Sequence, residues 1–181
     1  ANKQLEALAH TDPLTGLANR RQLLTDARTL MALSRRSNSP LSLIVCDIDS
    51  FKQVNDTHGH ELGDRAICLV ADCMRKAVRE IDVVARFGGD EFVLLLPGIG
   101  SREAQIVAHR LNELVRTATI TDEKGQQLKL TLSCGIGQWQ KEDSRFEDLF
   151  LRADRNLYAA KNSGRNQTVA NISPAALQPS P

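Results

Sequence analysis

The spacing of apolar positions lays out an alternation of helices and strands. Residues 1–10 (ANKQLEALAH) read as the end of a helix, with Leu5 and Leu8 on one side. Residues 11–18 (TDPLTGLA) are turn-rich, because Pro13 and Gly16 punctuate them. Asn19 has the character of a helix N-cap, with Gln22 three residues on, and the pattern predicts a helix to about Ser34. Pro40 closes the next loop. Residues 41–46 (LSLIVC) form a continuous apolar run rich in branched side chains, which predicts a buried strand. It ends abruptly in Asp47-Ile48-Asp49. A short polar helix or turn is expected over Ser50–Thr57. An amphipathic helix is expected from about Leu62 to Val78, with Ile67, Val70, Met74 and Val78 on one face. Residues 82–87 and 91–96 are two apolar runs joined by Gly88-Gly89, a hairpin signal. Ser101 can cap a helix to about Thr117, and residues 128–136 (LKLTLSCGI) alternate like a strand. Ser144-x-x-Glu147 reads as a capping box opening a helix that ends near Ser163, with Gly164 just past it.

Helices alternating with strands, one hairpin among them, define an α/β class with a mixed central β-sheet flanked by helices. Residues 171–181 hold three of the six prolines and are expected to be a loose tail. The expected layout is therefore the end of a stalk over 1–10, one domain over 11–170 and a flexible tail over 171–181. A length of 181 residues suits that single domain. The chain opens at Ala1 in helix-like residues without a cap, so a domain cut from a longer protein is expected.

Composition narrows the function classes. Aromatics are only 4%, so the core must rest on Leu, Ile, Val and Ala. The charge of +1, from 23 Lys+Arg and 22 Asp+Glu, argues against a general nucleic-acid binder. It leaves room for a small polyanion held by a few placed cations. Cys46, Cys68, Cys73 and Cys134 form no CxxC pair, which argues against zinc and for buried reduced thiols in a cytoplasmic domain. No run approaches the roughly 18 apolar residues of a membrane span, and no signal peptide is visible. Anchoring of a longer parent protein in a membrane is not readable from these residues.

The chemistry begins at Asp47-Ile48-Asp49. Two acids at the tip of a buried strand are costly unless paired with a cation. They read as a Mg²⁺ site completed by substrate phosphates, or as a solvated strand end. The run Arg86-Phe87-Gly88-Gly89-Asp90-Glu91-Phe92 shifts that balance, because two acids directly follow a tight glycine turn. Glycines there let a phosphate-bearing ligand approach the backbone. Two acid clusters at sheet edges suggest a shared divalent metal, as in nucleotidyl transfer. His58-x-His60 is poor spacing for a single metal, with no third soft ligand nearby.

Residues Arg86 to Phe92 resemble the signature of GGDEF domains, the diguanylate cyclases. Asp12-Pro13-Leu14-Thr15-Gly16-Leu17 with Asn19-Arg20-Arg21 resembles the opening motif of that family. Asp47-Ile48-Asp49-Ser50-Phe51-Lys52, Asn55-Asp56 and Gly59-His60 with Gly63-Asp64 resemble its second. Ala153-Asp154, Leu157-Tyr158, Ala160-Lys161 and Gly164-Arg165-Asn166 resemble its last. These matches span residues 11–166 in order.

The resemblance implies a fold like the palm of class III nucleotidyl cyclases and polymerases. It implies condensation of two GTP molecules into cyclic di-GMP with release of pyrophosphate. Asp47, Asp90 and the carbonyl of Ile48 are then the ligands of Mg²⁺, or of Mn²⁺ in its place. Asp90 is also the family's assumed general base, and Lys52 its transition-state stabiliser. Lys161 and Arg165 are implied to bind the triphosphate, beside the open backbone of Gly88 and Gly89. Asn55 and Asp64 match guanine-contacting positions, with His60 near the same pocket. A carboxylate favours guanine on chemical grounds, because guanine offers two donors on one edge and adenine an acceptor. Arg79-x-x-Asp82 stands at the family's inhibitory-site offset, which implies feedback by the product. Joining two substrates implies a homodimer, and the expected stalk implies an upstream sensor domain. The alternative is a catalytically silent module that binds GTP or cyclic di-GMP and regulates a partner. An adenylyl cyclase or polymerase-like enzyme on the same palm is weaker, since Asn55 and Asp64 speak for guanine.

Overall fold

Every residue of β1 (Leu41–Ile48) is buried, as an apolar run without alternation requires of a strand covered on both faces. The computed structural model of the chain describes Leu5 and residues 9–170. The expected tail over 171–181 and most of the expected stalk lie outside the described residues. β1 is the middle strand of a five-stranded sheet. β3 (Glu91–Pro97) and β6 (Leu132–Gln138) flank it, both antiparallel. β2 (Val83–Gly88) is the hairpin partner of β3, and β7 (Gln167–Ala170) runs parallel to β6 at the far edge. The order is β2-β3-β1-β6-β7, a mixed sheet as the sequence predicts.

Strand side chains alternate between faces, so β1 feeds two cores. Ile44, Cys46 and Ile48 join Phe92, Leu94, Leu132 and Ile136 under α3 (His60–Ala77) and α4 (Ser101–Thr117). Leu41, Leu43 and Val45 join Val93 and Leu95 under α1 (Arg20–Ser37) and α5 (Phe146–Asn162). A short helix, α2 (Phe51–His58), follows β1 directly. α5 lies against the backbone of β6. A Cβ on Gly135 would meet Ala153 O and Leu157 N at 2.1 Å, so only glycine permits this approach. The buried Asn156 amide donates to Ile136 O at 2.6 Å and fixes the helix along the strand. Phe87 of β2 stacks on Phe150 of α5 at 5.1 Å, and the Arg20 guanidinium lies over the Phe87 ring at 4.6 Å.

Several boundaries differ from the sequence expectation. α1 runs three residues past Ser34, closed by Asn38 in a left-handed conformation whose N–H donates to Ser34 O. α3 begins at His60, two residues early, because Gly59 at φ 86 breaks the chain between α2 and α3. Gly100 caps α4, and the N–H of Ser101 donates to Gln138 Oε1 at 2.8 Å. The strand expected over 128–136 is two pieces. β5 (Gln127–Leu128) pairs with β4 (Ile120–Thr121) in a separate hairpin, and β6 starts at Leu132. Between them Thr131 O turns to accept the Asp49 N–H at 2.9 Å. The α5 cap sits one residue later than expected. Asp148 accepts the N–H groups of Ser144 and Arg145, and Glu147 is not the capping acid. Cys46, Cys73 and Cys134 are buried and reduced as expected, whereas Cys68 is half-buried. Cys46 and Cys134 face each other across β1 and β6 with sulfurs 3.1 Å apart.

Candidate active site

Strand register brings the acids together. Asp47, near the end of β1, pairs directly with Glu91 of β3. The Ile48 N–H reaches the carbonyl of Asp90 at 3.4 Å, so the last turn of the hairpin closes on the last residues of β1. Lys161, in the last turn of α5, donates to the Asp47 carboxylate. Asp47, Ile48, Asp90 and Lys161 thus meet from three segments far apart in sequence. Lys52 is exposed in the first turn of α2, after Ser50 at φ 55 turns the chain sharply. Its ammonium has no partner among the described residues.

The electrostatics of this end are unbalanced. Burial, and then the charge of Asp47, raise the Asp90 carboxyl above the ordinary aspartate range. Burial, with Asp47 and Asp154 beside it, pushes Glu91 up to about 7, while Lys161 pulls the other way. Partly buried carboxylates crowded against one another are a donor set that a hard divalent cation relieves. Among the described residues no group of three or more His, Cys, Asp or Glu side chains is arranged to hold a metal alone. Such a cation would therefore need further oxygens, of the kind phosphates supply. Glu91 belongs to the acid pair that the sequence places after the glycine turn, whereas Asp154 is a neighbour of the site that sequence reasoning missed.

The signature turn is open and braced. Gly89 holds φ 53, and a Cβ at Gly88 or Gly89 would meet nothing within 4 Å, so the backbone there is bare to an approaching ligand. Arg86 Nε donates to Gly89 O at 2.9 Å, and its guanidinium reaches Asp12 at 3.1 Å. Asp12 also accepts the N–H and hydroxyl of Thr15 at 2.9 and 2.7 Å. Burial alone would raise Asp12, but the Thr15 bonds and Arg86 outweigh it and hold the carboxyl low. The opening motif is a brace for the turn, a role the sequence reading did not assign.

A second cluster lies between α2 and α3. A Cβ on Gly63 would sit 1.8 Å from Asn55 Oδ1, so glycine lets the two helices close around this amide. That oxygen is buried without a hydrogen-bond partner. An orphaned acceptor costs about 1–3 kcal/mol, which a ligand donor would recover. Asp64 is exposed on the next residue of α3. His60 does not join this group. It lines a cavity of about 430 Å³ that Asn55 and Asp64 do not border, with Arg65 and Glu123. In the same cavity His58 Nδ1 meets Asp122 at 3.3 Å, a structural pairing.

The remaining expected residues separate. Arg165 sits in the turn after α5 at φ 60, exposed, its guanidinium without a partner among the described residues. Arg79 and Asp82 pair with each other at 2.7 Å, and Arg79 also donates to Pro97 O. They lie at the start of β2, six residues of strand, or about 20 Å, from the glycine turn. They do not belong to the acid cluster.

Comparison with known proteins follows the same residues. The family described as "Diguanylate cyclase, GGDEF domain" matches residues 9–167. Diguanylate cyclase DgcP of Pseudomonas aeruginosa is 40% identical over 159 residues, 88% of this chain and 23% of that protein. Response regulator PleD of Caulobacter vibrioides is 38% identical over 163 residues, 90% of this chain and 36% of that protein. The chain thus spans well under half the length of these relatives. Diguanylate cyclase SiaD of Pseudomonas aeruginosa, solved with its activator SiaC, superposes with a TM-score of 0.87 at 38% identity, over 94% of this chain and 65% of that one. The coiled coil and GGDEF domain of DgcB from Caulobacter crescentus, solved with c-di-GMP, gives 0.89 at 28% identity, over 94% of this chain and 90% of that one. With its acids gathered at the strand ends and its glycine turn braced by the opening motif, this chain belongs to the GGDEF family of diguanylate cyclases.

Proposed function

We propose that the chain condenses two GTP molecules into cyclic di-GMP. The observation that carries this reading is the convergence of Asp47 with Asp90 and Glu91, the latter two with raised carboxyls, beside an open glycine turn. In each of two equivalent steps, the 3′-oxygen of one GTP bonds to the α-phosphorus of the other. The bond from that phosphorus to the bridging oxygen breaks, and pyrophosphate leaves. Asp47, Asp90 and the Ile48 carbonyl would hold a divalent cation, Mg²⁺ or Mn²⁺. When bound, it neutralises the phosphates and lowers the pKa of the attacking hydroxyl. Asp90 would take the hydroxyl proton. Lys161 and Arg165 bind the outer phosphates, and Lys52 stabilises charge on the reacting one. The buried acceptor of Asn55 and the carboxylate of Asp64 take the donors of guanine. The symmetry of the reaction calls for a homodimer, each half carrying one GTP.

The regulatory and cellular readings extend this. The Arg79–Asp82 pair, well away from the acids, is a place where product binds and restrains the enzyme. DgcB, a family relative, has been solved with c-di-GMP. No helix among the described residues is long and apolar enough to cross a membrane. A cytoplasmic setting behind an upstream sensor domain agrees with the short coverage of the relatives.

The test is incubation of the chain with GTP and Mg²⁺. Cyclic di-GMP and pyrophosphate are expected; no turnover by a verified dimer points instead to a silent nucleotide-binding module. Arg79→Ala should keep the initial rate within about twofold and relieve inhibition by added product, since exposed ion pairs contribute only ~0–1 kcal/mol to the fold. Unchanged inhibition removes the feedback assignment.

A further inference from the structure

The carboxylate of Asp49 gathers three donors from two distant parts of the chain. Its Oδ1 accepts the Ser133 hydroxyl of β6 at 2.6 Å. Its Oδ2 accepts the Thr131 hydroxyl at 2.7 Å and the backbone N–H of Asn166 at 2.9 Å. Three of a carboxylate's roughly four acceptor sites are thereby taken, which makes Asp49 a poor metal ligand. The acid at the strand tip that looks most like a second ligand in sequence is committed to holding structure.

What it holds is the turn that carries a phosphate-binding cation. Arg165 and Asn166 both adopt left-handed backbone, at φ 60 and 46. Residues with a Cβ leave that region unless held. The N–H of Arg165 donates to Ala160 O at 3.0 Å, and the Gln167 amide donates to Ser163 O and Arg165 O. Those bonds are local to the turn. Asp49 ties the turn to the end of β1, two residues from Asp47. It sets the separation between the acidic and cationic halves of the site.

We propose that Asp49 is a positioning residue: through the Asn166 N–H it holds the Arg165 turn so that the guanidinium meets the triphosphate. The inference rests on the phosphate role proposed for Arg165 and extends it. Small misplacements of such groups are enough to change rates by up to about a hundredfold.

The geometry makes asparagine the informative replacement. Its amide oxygen can take the place of Oδ2, and its NH₂ can donate to the Ser133 hydroxyl. The probes are 3′-deoxy-GTP, which keeps the triphosphate and lacks the attacking hydroxyl, and GMP, which lacks the outer phosphates. Binding is read by calorimetry on the 181-residue chain. Asp49→Ala is expected to weaken 3′-deoxy-GTP about tenfold, as Arg165→Ala does, and GMP by no more than about twofold. Asp49→Asn should recover to within about threefold, and Asp49→Ala should add less than about twofold on top of Arg165→Ala, because the two act as one unit. Where Asp49→Ala does not fold, Thr131→Val removes one of the donors that aim Oδ2. It should give the same selective loss at about threefold. An equal loss for GMP, an Asn variant as damaged as the Ala one, or full additivity with Arg165→Ala overturns the positioning role. So does a Thr131→Val chain that binds like the unaltered one. If Arg165→Ala leaves 3′-deoxy-GTP affinity unchanged, the phosphate role of Arg165 fails first and the positioning role falls with it.

Discussion

Helix α5 carries a cation–carboxylate pair towards each end, and the two pairs behave differently. Towards the start, Arg152 binds Asp143 in a two-pronged contact at 2.7 and 2.9 Å and also donates to Gln138 O. Asp143 accepts the Gln140 N–H as well, and its side chain is 5% exposed. Every charge there has its partner. Near the other end, Lys161 faces Asp47 with Asp90, Glu91 and Asp154 close behind. One ammonium serves several carboxylates, and those of Asp90 and Glu91 are pushed up. The first arrangement is what an ion pair looks like when its work is structural. The second is left electrostatically incomplete, which suits a place where a polyanion and a cation are to bind.

Four changes would break or sharpen that contrast. The largest effect should come from Asp90→Ala, which is expected to lower cyclic di-GMP formation at least about a thousandfold. Its thermal midpoint should stay level or rise, because a crowded charge is removed. Retained activity would take Asp90 out of the mechanism. Arg152→Ala should do the reverse. It leaves Asp143 buried without its partner, and breaking a buried pair costs about 3–5 kcal/mol. Arg152 is 28% exposed, so water softens the loss to about 2 kcal/mol. Urea denaturation measures it, with kcat little changed.

Gly63→Ala comes next. The new Cβ collides with Asn55 Oδ1, so KM for GTP should rise about tenfold while ATP stays a poor substrate. An unchanged KM would separate the Asn55 cluster from guanine. The smallest effect is the pH dependence of Glu91. Its carboxyl is raised in the folded chain to about 7 from 4.5. The folded state therefore binds the proton more tightly than the unfolded one. That contribution to stability is fully present below about 4.5 and is lost as pH rises through about 7. Midpoints measured without divalent metal should fall across this window, and Glu91→Gln should flatten the fall. An identical slope in both chains would show that the crowding at Glu91 is weak.

Much of this site is legible in one dimension. The glycine turn, the acids beside it and the apolar run before Asp47 are local patterns, and each lands where its spacing places it. Helix ends were less legible, because caps are chosen by neighbours: Gln138 supplies the partner for Ser101, and Asp148 displaces Glu147. The split of the run over 128–136 could not be read, since it depends on Thr131 turning to Asp49 from 82 residues away. His60 lay close in sequence to Asn55 and Asp64, yet Gly59 sends it into a different cavity.

By itself the sequence determined the elements, the mixed α/β class and the kinds of group that do the chemistry. Those follow from periodicity, turn residues and the donor properties of side chains, which are local. Only the tertiary structure decided which acids are free and which are spoken for. Asp47 and Asp49 look alike at the end of one strand. One meets Glu91 of the neighbouring strand and Lys161 of α5, and the other is filled by Ser133, Thr131 and Asn166. Ligand availability is set by what surrounds a carboxylate in space, and those surroundings come from strands and turns that the chain brings back from far along its length.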